Sequence, residues 1–422
     1  MTTDRTPSEP ELSIAKPQAG FLARQNRLVF LLGLIALYAA VFLFMDQLRF
    51  PREKDEGHFW RTSEKFSHSL LPEIEQLRDY GELSTPLPFV IFGALDHLLG
   101  GEQVPGRYLN FILSFCIVLL IGFPAARGRW REVLAACGLL VCPYYLGVSA
   151  HLYTEVLACT FVLLGVWGYR GKRHVIAALC FALAIACRQY MLAFPAAIAV
   201  HEGLRSLRRD TRFWRAAWIA PAFAAATILG WLAFFGGPAP AAEMIQQHLD
   251  TAAFSLHPDH SLYFLACLGA YFVIPELIVH ARLRPWRNVR PLPGVAVGGI
   301  LLVLFLVFPP LGNELPYPIE TMGFLDKALK PGGLGLPVAI RLAVLLVLAL
   351  AAGARFSRLD LIGWLVLINA AVMMFAHIAW DKYTLPLLVV LWFLAGRDSS
   401  PAGRTYGPGE PQCPSSSLAA SE

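Results

Sequence analysis

The chain has 422 residues, of which 56% are hydrophobic and only 15% are charged, and its mean hydropathy is +0.53. This balance lies well outside the range of soluble globular domains, so it excludes a soluble enzyme and a nucleic-acid-binding protein. The formal net charge of +5 is modest, so the distribution of the charges carries more information than their sum.

Residues 28–396 are predicted to form one polytopic membrane domain, flanked by polar cytoplasmic tails at 1–27 and 397–422 that are rich in Pro, Gly or Ser and predicted to be disordered. Crossing the ~30 Å hydrocarbon core takes about 20 apolar residues. By this measure the fold class is an all-α integral membrane protein with about twelve transmembrane helices. The predicted spans are Leu28–Asp46, Arg107–Ala125, Glu132–Ala150, Leu152–Tyr169, His174–Cys187, Tyr190–Leu204, Trp214–Gly236, Ser261–Ala281, Leu292–Leu311, Gly335–Gly353, Leu359–His377 and Tyr383–Gly396.

The distribution of basic residues gives an independent prediction of the topology. If the N-terminus is cytoplasmic, 23 of the 35 Lys and Arg residues fall in the cytoplasmic segments, as the preference of basic residues for that side requires. Both ends of the chain are then cytoplasmic. The two short spans around Arg188 can be read as two crossings or as one broken helix. The Ala-, Arg- and Pro-rich composition favours a bacterial inner membrane.

The three long connections, 47–106, 237–260 and 312–334, are all predicted to lie at the outer face. In the first of them Phe59, Phe66, Leu70, Ile74 and Leu77 recur at helical spacing between charged residues, which predicts amphipathic helices at the membrane surface. Residues 87–99 are apolar but too short for a comfortable span, so they are predicted to be re-entrant or interfacial. The third connection could be a lid or a plain loop.

Asp55 and Glu56 stand side by side in this first outer loop and are followed directly by His58 and two aromatic residues. A solvated acidic loop is one interpretation of the pair. The other is a catalytic site, because carboxylates held where apolar groups meet the interface suit general-base chemistry.

A second candidate group lies around Arg188-Gln189, on the outer side of the predicted topology. An isolated arginine between apolar spans needs an anionic partner. That partner can be a carboxylate such as Glu155, near the outer end of the fourth span, or a lipid phosphate, for which arginine is well suited.

Three further features are weaker. Lys382 can be a second phosphate ligand, or it can form a self-compensating pair with Asp381 in an aromatic belt. His248, His257, Asp259 and His260 share one loop, but their spacing matches no standard metal site, so a solvated loop is favoured. The eight cysteines show no metal-ligand spacing and are interpreted as small apolar side chains.

The sequence from Asp55 to Phe59 resembles the Asp-Glu-x-His-Phe signature in the first outer loop of protein O-mannosyltransferases and related GT-C glycosyltransferases. Tyr153-Thr154-Glu155 followed by Arg188-Gln189 is similar to a pattern in the dolichyl-phosphate-glucose α-1,2-glucosyltransferases. The number of helices, the long first outer loop and the basic cytoplasmic turns resemble the same superfamily along nearly the whole chain.

The resemblance implies a hexosyltransferase that uses a polyprenyl-phosphate sugar as donor and a glycan or lipid-linked acceptor at the outer face of the membrane. Asp55 would be the general base, and Glu56 and His58 would position the acceptor or tune Asp55. Glu56 is thus counted with Asp55 as catalytic, and the substrate-binding residues would be His58, Glu155, Arg188, Gln189 and Lys382. No cofactor or metal is expected, because the leaving group is already a stable phosphate anion. The sequence leaves the oligomeric state open.

Two rival functions stay open at this stage. A transporter or flippase would also need many helices and a few charged membrane residues, although no internal two-fold repeat is visible. A non-catalytic assembly factor would keep the fold without the chemistry.

Overall fold

The structure is a computed structural model. It describes residues 16–52, 54–123, 130–208, 216–241, 255–279, 291–310, 323–330, 332–376 and 378–397. These residues are helical or irregular and form no β-strand. The predicted tails fall outside them at 1–15 and 398–422, and α1 begins at Lys16, within the stretch predicted to be a tail.

Eighteen α-helices are assigned to the described residues. In chain order they are α1 Lys16–Phe44, α2 Lys54–Glu64, α3 Ile74–Arg78, α4 Leu87–Leu99, α5 Val104–Gly122, α6 Trp130–Leu140, α7 Tyr145–Ala150, α8 Glu155–Arg170, α9 His174–Cys187, α10 Ala193–Arg208, α11 Ala216–Phe235, α12 Pro258–Leu268, α13 Ile274–Val279, α14 Pro291–Val307, α15 Phe324–Leu329, α16 Val338–Arg355, α17 Leu361–Met373 and α18 Leu385–Arg397.

Five described helical stretches are long and apolar enough to cross a membrane: Arg27–Phe44, Val104–Gly122, Ala216–Phe235, Pro258–Val279 and Val338–Arg355. Four shorter apolar helices accompany them. The all-helical membrane architecture agrees with the sequence, whereas the number of twelve crossings stays a prediction.

One predicted span is interrupted, and a break in the backbone separates the short pair around Arg188. Glu132–Ala150 divides into α6 and α7, since Pro143 lacks the N–H that a continuous helix needs at that point. The pair around Arg188 is two helices: Arg188 is extended at φ −155° and ψ 128°, and a 3₁₀ turn, Gln189–Leu192, leads into α10. Helix ends are therefore created inside the bundle, where their backbone groups need polar partners.

The predicted first outer loop, 47–106, contains α2, α3 and α4. Phe59, Phe66, Tyr80 and Phe89 form a small buried core, whereas Leu70 and Ile74 stay exposed. The helical periodicity predicted for this stretch therefore breaks between α2 and α3. α4 coincides with the predicted short apolar segment 87–99, and its position relative to the bilayer stays a prediction.

The last helix, α18, is the centre of the bundle. Every residue from Leu385 to Leu394 is buried, which is the pattern of a helix that is apolar all round and enclosed by others. The indole of Trp392 packs against Gly138 of α6 so closely that a Cβ at position 138 would lie 2.4 Å from the ring. This contact fixes how α6 and α18 approach each other.

Replacing Gly138 by Ala is expected to destabilise the bundle by about 1–3 kcal/mol, because the added methyl group must displace a fully buried indole. The measurement is the unfolding temperature of the purified protein in detergent. Gly147→Ala is the matched control, since no atom lies within 4 Å of a Cβ at that position of α7. Equal unfolding temperatures for the two variants would contradict the close packing.

Candidate functional site

Four charged residues that are far apart in the sequence form one cluster in the structure. Lys382 Nζ lies 3.7 Å from Asp55 Oδ2 and 3.9 Å from Glu155 Oε1. The guanidinium of Arg188 donates to Glu155 Oε1 at 2.8 Å. We call Asp55, Glu155, Arg188 and Lys382 the charge cluster. All four were candidates from the sequence, but only the tertiary structure shows that they meet.

Each member of the charge cluster lies at or near a helix end. Asp55 is in the first turn of α2, and Glu155 is the first residue of α8. Arg188 occupies the extended break after α9, and Lys382 lies in the 3₁₀ turn Asp381–Thr384 that leads into α18. A carboxylate at a helix N-terminus is favoured by the helix dipole. The cluster is therefore built where four chain segments change direction.

Glu155 and Arg188 form the buried half of the cluster. Glu155 is completely buried, and Arg188 is almost so. Besides its bond to Glu155, Arg188 donates from Nε to Thr154 Oγ1 at 2.7 Å. Burial acts to lower the pKa of Arg188, but the carboxylate of Glu155 outweighs it and raises that pKa above the ordinary arginine value. The guanidinium is therefore charged at every accessible pH.

Lys382 is buried in an aromatic setting. Its Nζ lies 3.3 Å from the centroid of the Trp380 ring and 5.1 Å from that of Tyr153, so cation–π attraction stabilises the charged form. Burial lowers the pKa of Lys382 from the ordinary lysine value of 10.5, and Glu155 offsets part of that shift. The ammonium group therefore releases its proton more readily than a surface lysine.

Asp55 is the accessible member of the cluster. Its side chain is 42% exposed, against 5% for Lys382 and none for Glu155. The hydroxyl of Tyr153 lies 3.5 Å from Asp55 Oδ2. In the charge cluster, Asp55 is therefore the carboxylate that solvent can reach. The two buried cations, Lys382 and Arg188, lie behind it and both contact Glu155.

Glu56, the neighbour of Asp55, lies in a different environment. It is fully buried, and its two oxygens accept hydrogen bonds from Arg107, with Nε at 2.6 Å from Oε1. The backbone N–H of Leu152 also donates to Oε1 at 2.7 Å. Arg107 in turn donates to the carbonyls of Leu48 and Phe50. These contacts tie the start of α2 to α5 and to the segment before α8, and they give Glu56 a positioning role.

The other two predicted substrate-binding residues also contact the protein itself. His58 Nε2 lies 3.0 Å from the carboxylate of Glu82. The side-chain amide of Gln189 donates to the carbonyls of Leu83 and Pro238 at 2.6 and 3.1 Å. Gln189 therefore joins the first outer loop to the segment after α11, beside the charge cluster.

The expected pairing of Asp381 with Lys382 is wrong. Asp381 Oδ2 accepts hydrogen bonds from the hydroxyl of Tyr271 at 2.7 Å and from the backbone N–H of Leu325 at 3.1 Å. The reason is local geometry, since adjacent residues of a 3₁₀ turn point in different directions. Tyr271 belongs to the π-helical turn Gly269–Val273 between α12 and α13. Asp381 thereby anchors α15 of the predicted third outer loop, 312–334; residues 312–322 and 331 of that loop lie outside the described residues.

The interpretation of the histidine loop as solvated is also wrong for the part that the structure describes. Asp259 and His260 are 6% and 3% exposed at the start of α12. The loop folds against the end of α17, where the backbone N–H of His257 donates to the carbonyl of Met374 at 2.7 Å. His248 lies outside the described residues.

Sequence reasoning missed Arg107 as part of the site, and it gave Tyr153 and Trp380 no contact with Lys382. Arg107 carried a signal, because a charged residue at the start of an apolar span needs a buried partner. Tyr153 belonged to the motif Tyr153-Thr154-Glu155 and Trp380 to the predicted aromatic belt, but neither pattern indicated that the two rings lie beside Lys382.

Comparison with known protein families and with curated proteins finds no match. Among solved structures, the chain is similar to the crystal structure of ArnT from Cupriavidus metallidurans bound to undecaprenyl phosphate. The alignment covers 87% of this chain and 77% of ArnT, at 15% identity and a TM-score of 0.40. At that identity and score, the similarity does not bear on activity.

Loss of charge at the two adjacent carboxylates, Asp55 and Glu56, is expected to lower the stability of the protein by very different amounts. Glu56→Gln leaves the buried guanidinium of Arg107 without its counter-ion and should cost about 3–5 kcal/mol of stability. Asp55→Asn removes an exposed carboxylate and should cost less than about 1 kcal/mol. Thermal unfolding in detergent measures both, and similar losses for the two variants would contradict the burial of the Glu56–Arg107 pair.

Proposed function

We propose that this chain is a membrane glycosyltransferase of the hexosyltransferase class. It transfers a sugar from a polyprenyl-phosphate donor to the hydroxyl of a glycan or lipid-linked acceptor, with inversion, at the outer face of the membrane. The observation that carries the proposal is the charge cluster: an exposed carboxylate, Asp55, lies beside two buried cations, Lys382 and Arg188. Phosphate recognition and proton abstraction need these two kinds of group at neighbouring points.

The cations bind the phosphate of the donor. Arg188 is fixed by Glu155 and Thr154, so its guanidinium is oriented before the substrate arrives. Lys382 has a looser set of contacts, since neither carboxylate is closer than 3.7 Å to its Nζ. A donor phosphate would therefore displace Asp55 from Lys382 at little cost, and the same displacement would release Asp55 for catalysis.

Asp55 acts as the general base. The acceptor hydroxyl attacks the anomeric carbon and gives its proton to Asp55, while the bond from that carbon to the phosphate oxygen breaks. The electron pair of that bond leaves with the polyprenyl phosphate, whose added negative charge is stabilised by Lys382 and Arg188. The reaction needs no metal or cofactor, because these two cations supply the charge that the leaving group requires.

The surrounding residues position the reacting groups. Glu56 holds the first turn of α2 through Arg107, which places Asp55 at the cluster. Gln189 joins the neighbouring segments, and His58, three residues after Asp55 in α2 and 45% exposed, would contact the acceptor. Trp380 and Tyr153 offer aromatic faces beside Lys382, on which a sugar ring can stack. The setting that we propose is the cell inner membrane, on the basis of the Ala-, Arg- and Pro-rich composition, with both termini cytoplasmic, on the basis of the charge pattern.

Asp55→Asn is expected to lower sugar transfer by about 10²–10⁴-fold, the usual contribution of a general base, without loss of folded protein. Membranes with matched amounts of each variant are given a panel of radiolabelled polyprenyl-phosphate sugars, and transfer to endogenous acceptors is counted. Asp79→Asn, an exposed aspartate of the same outer loop, is the matched control and should transfer at the wild-type rate. Equal transfer by Asp55→Asn would remove Asp55 from the mechanism. Absence of transfer with every donor would favour a transporter instead.

The affinity for the donor is expected to fall at alkaline pH because of Lys382. A lysine whose pKa lies below 10.5 loses its charge at a lower pH than ordinary lysines, so KM for the donor should rise as the pH passes through that lowered value. In Lys382→Arg the guanidinium keeps its charge, and the rise should move to higher pH. Lys330→Arg, at a lysine paired with Asp326 at 2.8 Å, should leave the profile unchanged. If KM for the donor rises at the same alkaline pH in Lys382→Arg as in the wild type, the rise is caused by a group other than Lys382.

A further inference from the structure

A second group of ionisable side chains lies at the start of α12, outside the charge cluster. One ligand atom from each of His257, Asp259 and His260 lies within 4.8 Å of the other two. We propose that these three side chains bind a divalent transition-metal ion of the zinc class. Imidazole nitrogen together with carboxylate oxygen is the donor set that zinc accepts in proteins.

The carboxylate of Asp259 is the first support for this site. Its side chain is 8% exposed, and among the described residues Oδ2 accepts no hydrogen bond. A buried carboxylate oxygen without a partner is costly and therefore rare. A bound cation would supply the missing partner.

The distance between Asp259 and His260 is the second support. Asp259 Oδ2 lies 3.7 Å from His260 Nε2, which is too long for a hydrogen bond. Two ligands of a tetrahedral zinc ion, each about 2.0–2.1 Å from the metal, are ~3.3 Å apart. The observed separation is thus closer to that of two ligands sharing one ion than to that of a bonded pair.

The orientation of His260 is the third support. His260 Nδ1 lies 2.7 Å from the carbonyl of Ala376 and donates to it, which leaves Nε2 as the nitrogen that faces Asp259. His257 Nε2 lies 2.7 Å from Ser255 Oγ, so Nδ1 would be the nitrogen of His257 that binds the ion. The two rings are nearly parallel, with centroids 4.7 Å apart, so the ring of His257 would turn on binding, because a metal ion lies in the plane of each imidazole that it binds. Hydrogen bonds from the second nitrogen to a carbonyl are the usual way in which metal-binding histidines are held.

Three protein ligands leave one coordination position for water or another small ligand. His260 also lines a small cavity of about 10 Å³, measured as the space open to the centre of a water molecule, together with Trp380 and Tyr383. Water from this cavity would complete the coordination. All three ligands belong to the start of α12, and His260 connects the site to the chain after α17 through its hydrogen bond to the carbonyl of Ala376. The metal site would exist whether or not the chain transfers sugar.

The test is zinc binding by the purified full-length protein, prepared without a polyhistidine tag and stripped with a chelator. Zn²⁺ is added back, unbound ion is removed, and metal content is measured by mass spectrometry. Wild type should retain one Zn²⁺ per chain, and Zn²⁺ should raise its unfolding temperature. Asp259→Asn and His260→Gln should each weaken binding by more than about tenfold, since loss of even an outer partner of a ligand typically costs 10–100-fold.

The matched control is His201→Gln, because His201 also lies beside a carboxylate, with Nε2 3.9 Å from Glu202, but has no third ligand in that contact. It should bind Zn²⁺ as the wild type does. Stripped Asp259→Asn and His260→Gln should unfold close to the stripped wild type, and Zn²⁺ should no longer stabilise them. No retained Zn²⁺ in the wild type, or equal retention in both ligand variants, would overturn the proposal.

Discussion

A fully buried carboxylate, that of Glu155, sets the arrangement of the end of this bundle at which the charge cluster lies. Inside an apolar bundle such a group stays ionised only when cations are held beside it. Arg188 meets this requirement at 2.8 Å and Lys382 at 3.9 Å, so the start of α8, the break after α9 and the turn before α18 must converge on one point. The breaks in the helices follow from the same need, because side chains at helix ends reach a common point more readily than side chains along packed helix faces.

Asp55 and Glu56 are adjacent in the first turn of α2, yet their carboxylates lie in different environments. In α2 successive side chains point about 100° apart, so Glu56 faces inward to Arg107 while Asp55 faces the charge cluster and solvent. The buried ion pair holds the helix in place, and the exposed carboxylate stays available to a substrate. Such a division is effective only if the buried residue is fully bonded, which its three hydrogen bonds from Arg107 and Leu152 ensure.

The apolar parts of the chain support this polar end in two ways. α18 is enclosed on all sides, and the 3₁₀ turn that leads into it carries Lys382, so an enclosed helix positions the phosphate-binding lysine that we propose. Helices such as α1 and α11 expose large apolar side chains, among them Leu28, Phe44 and Phe223, as expected where the surrounding solvent is lipid. The polar contacts are thus concentrated at one end, while lipid contact is left to the outer helices.

Much of this organisation was determined by the sequence alone, because it depends on local properties. Composition and apolar run lengths determined the helical membrane class, and isolated charges beside apolar runs marked Asp55, Glu155, Arg188 and Lys382. Only the tertiary structure decided their partners, since pairing depends on distances between residues that are up to 327 positions apart. In the tertiary structure Glu56 is paired with Arg107, and Asp381 bonds to Tyr271 and Leu325 instead of Lys382. His257, Asp259 and His260, which were expected in a solvated loop, form a buried group. Burial is a property of the whole fold, and no local pattern encodes it.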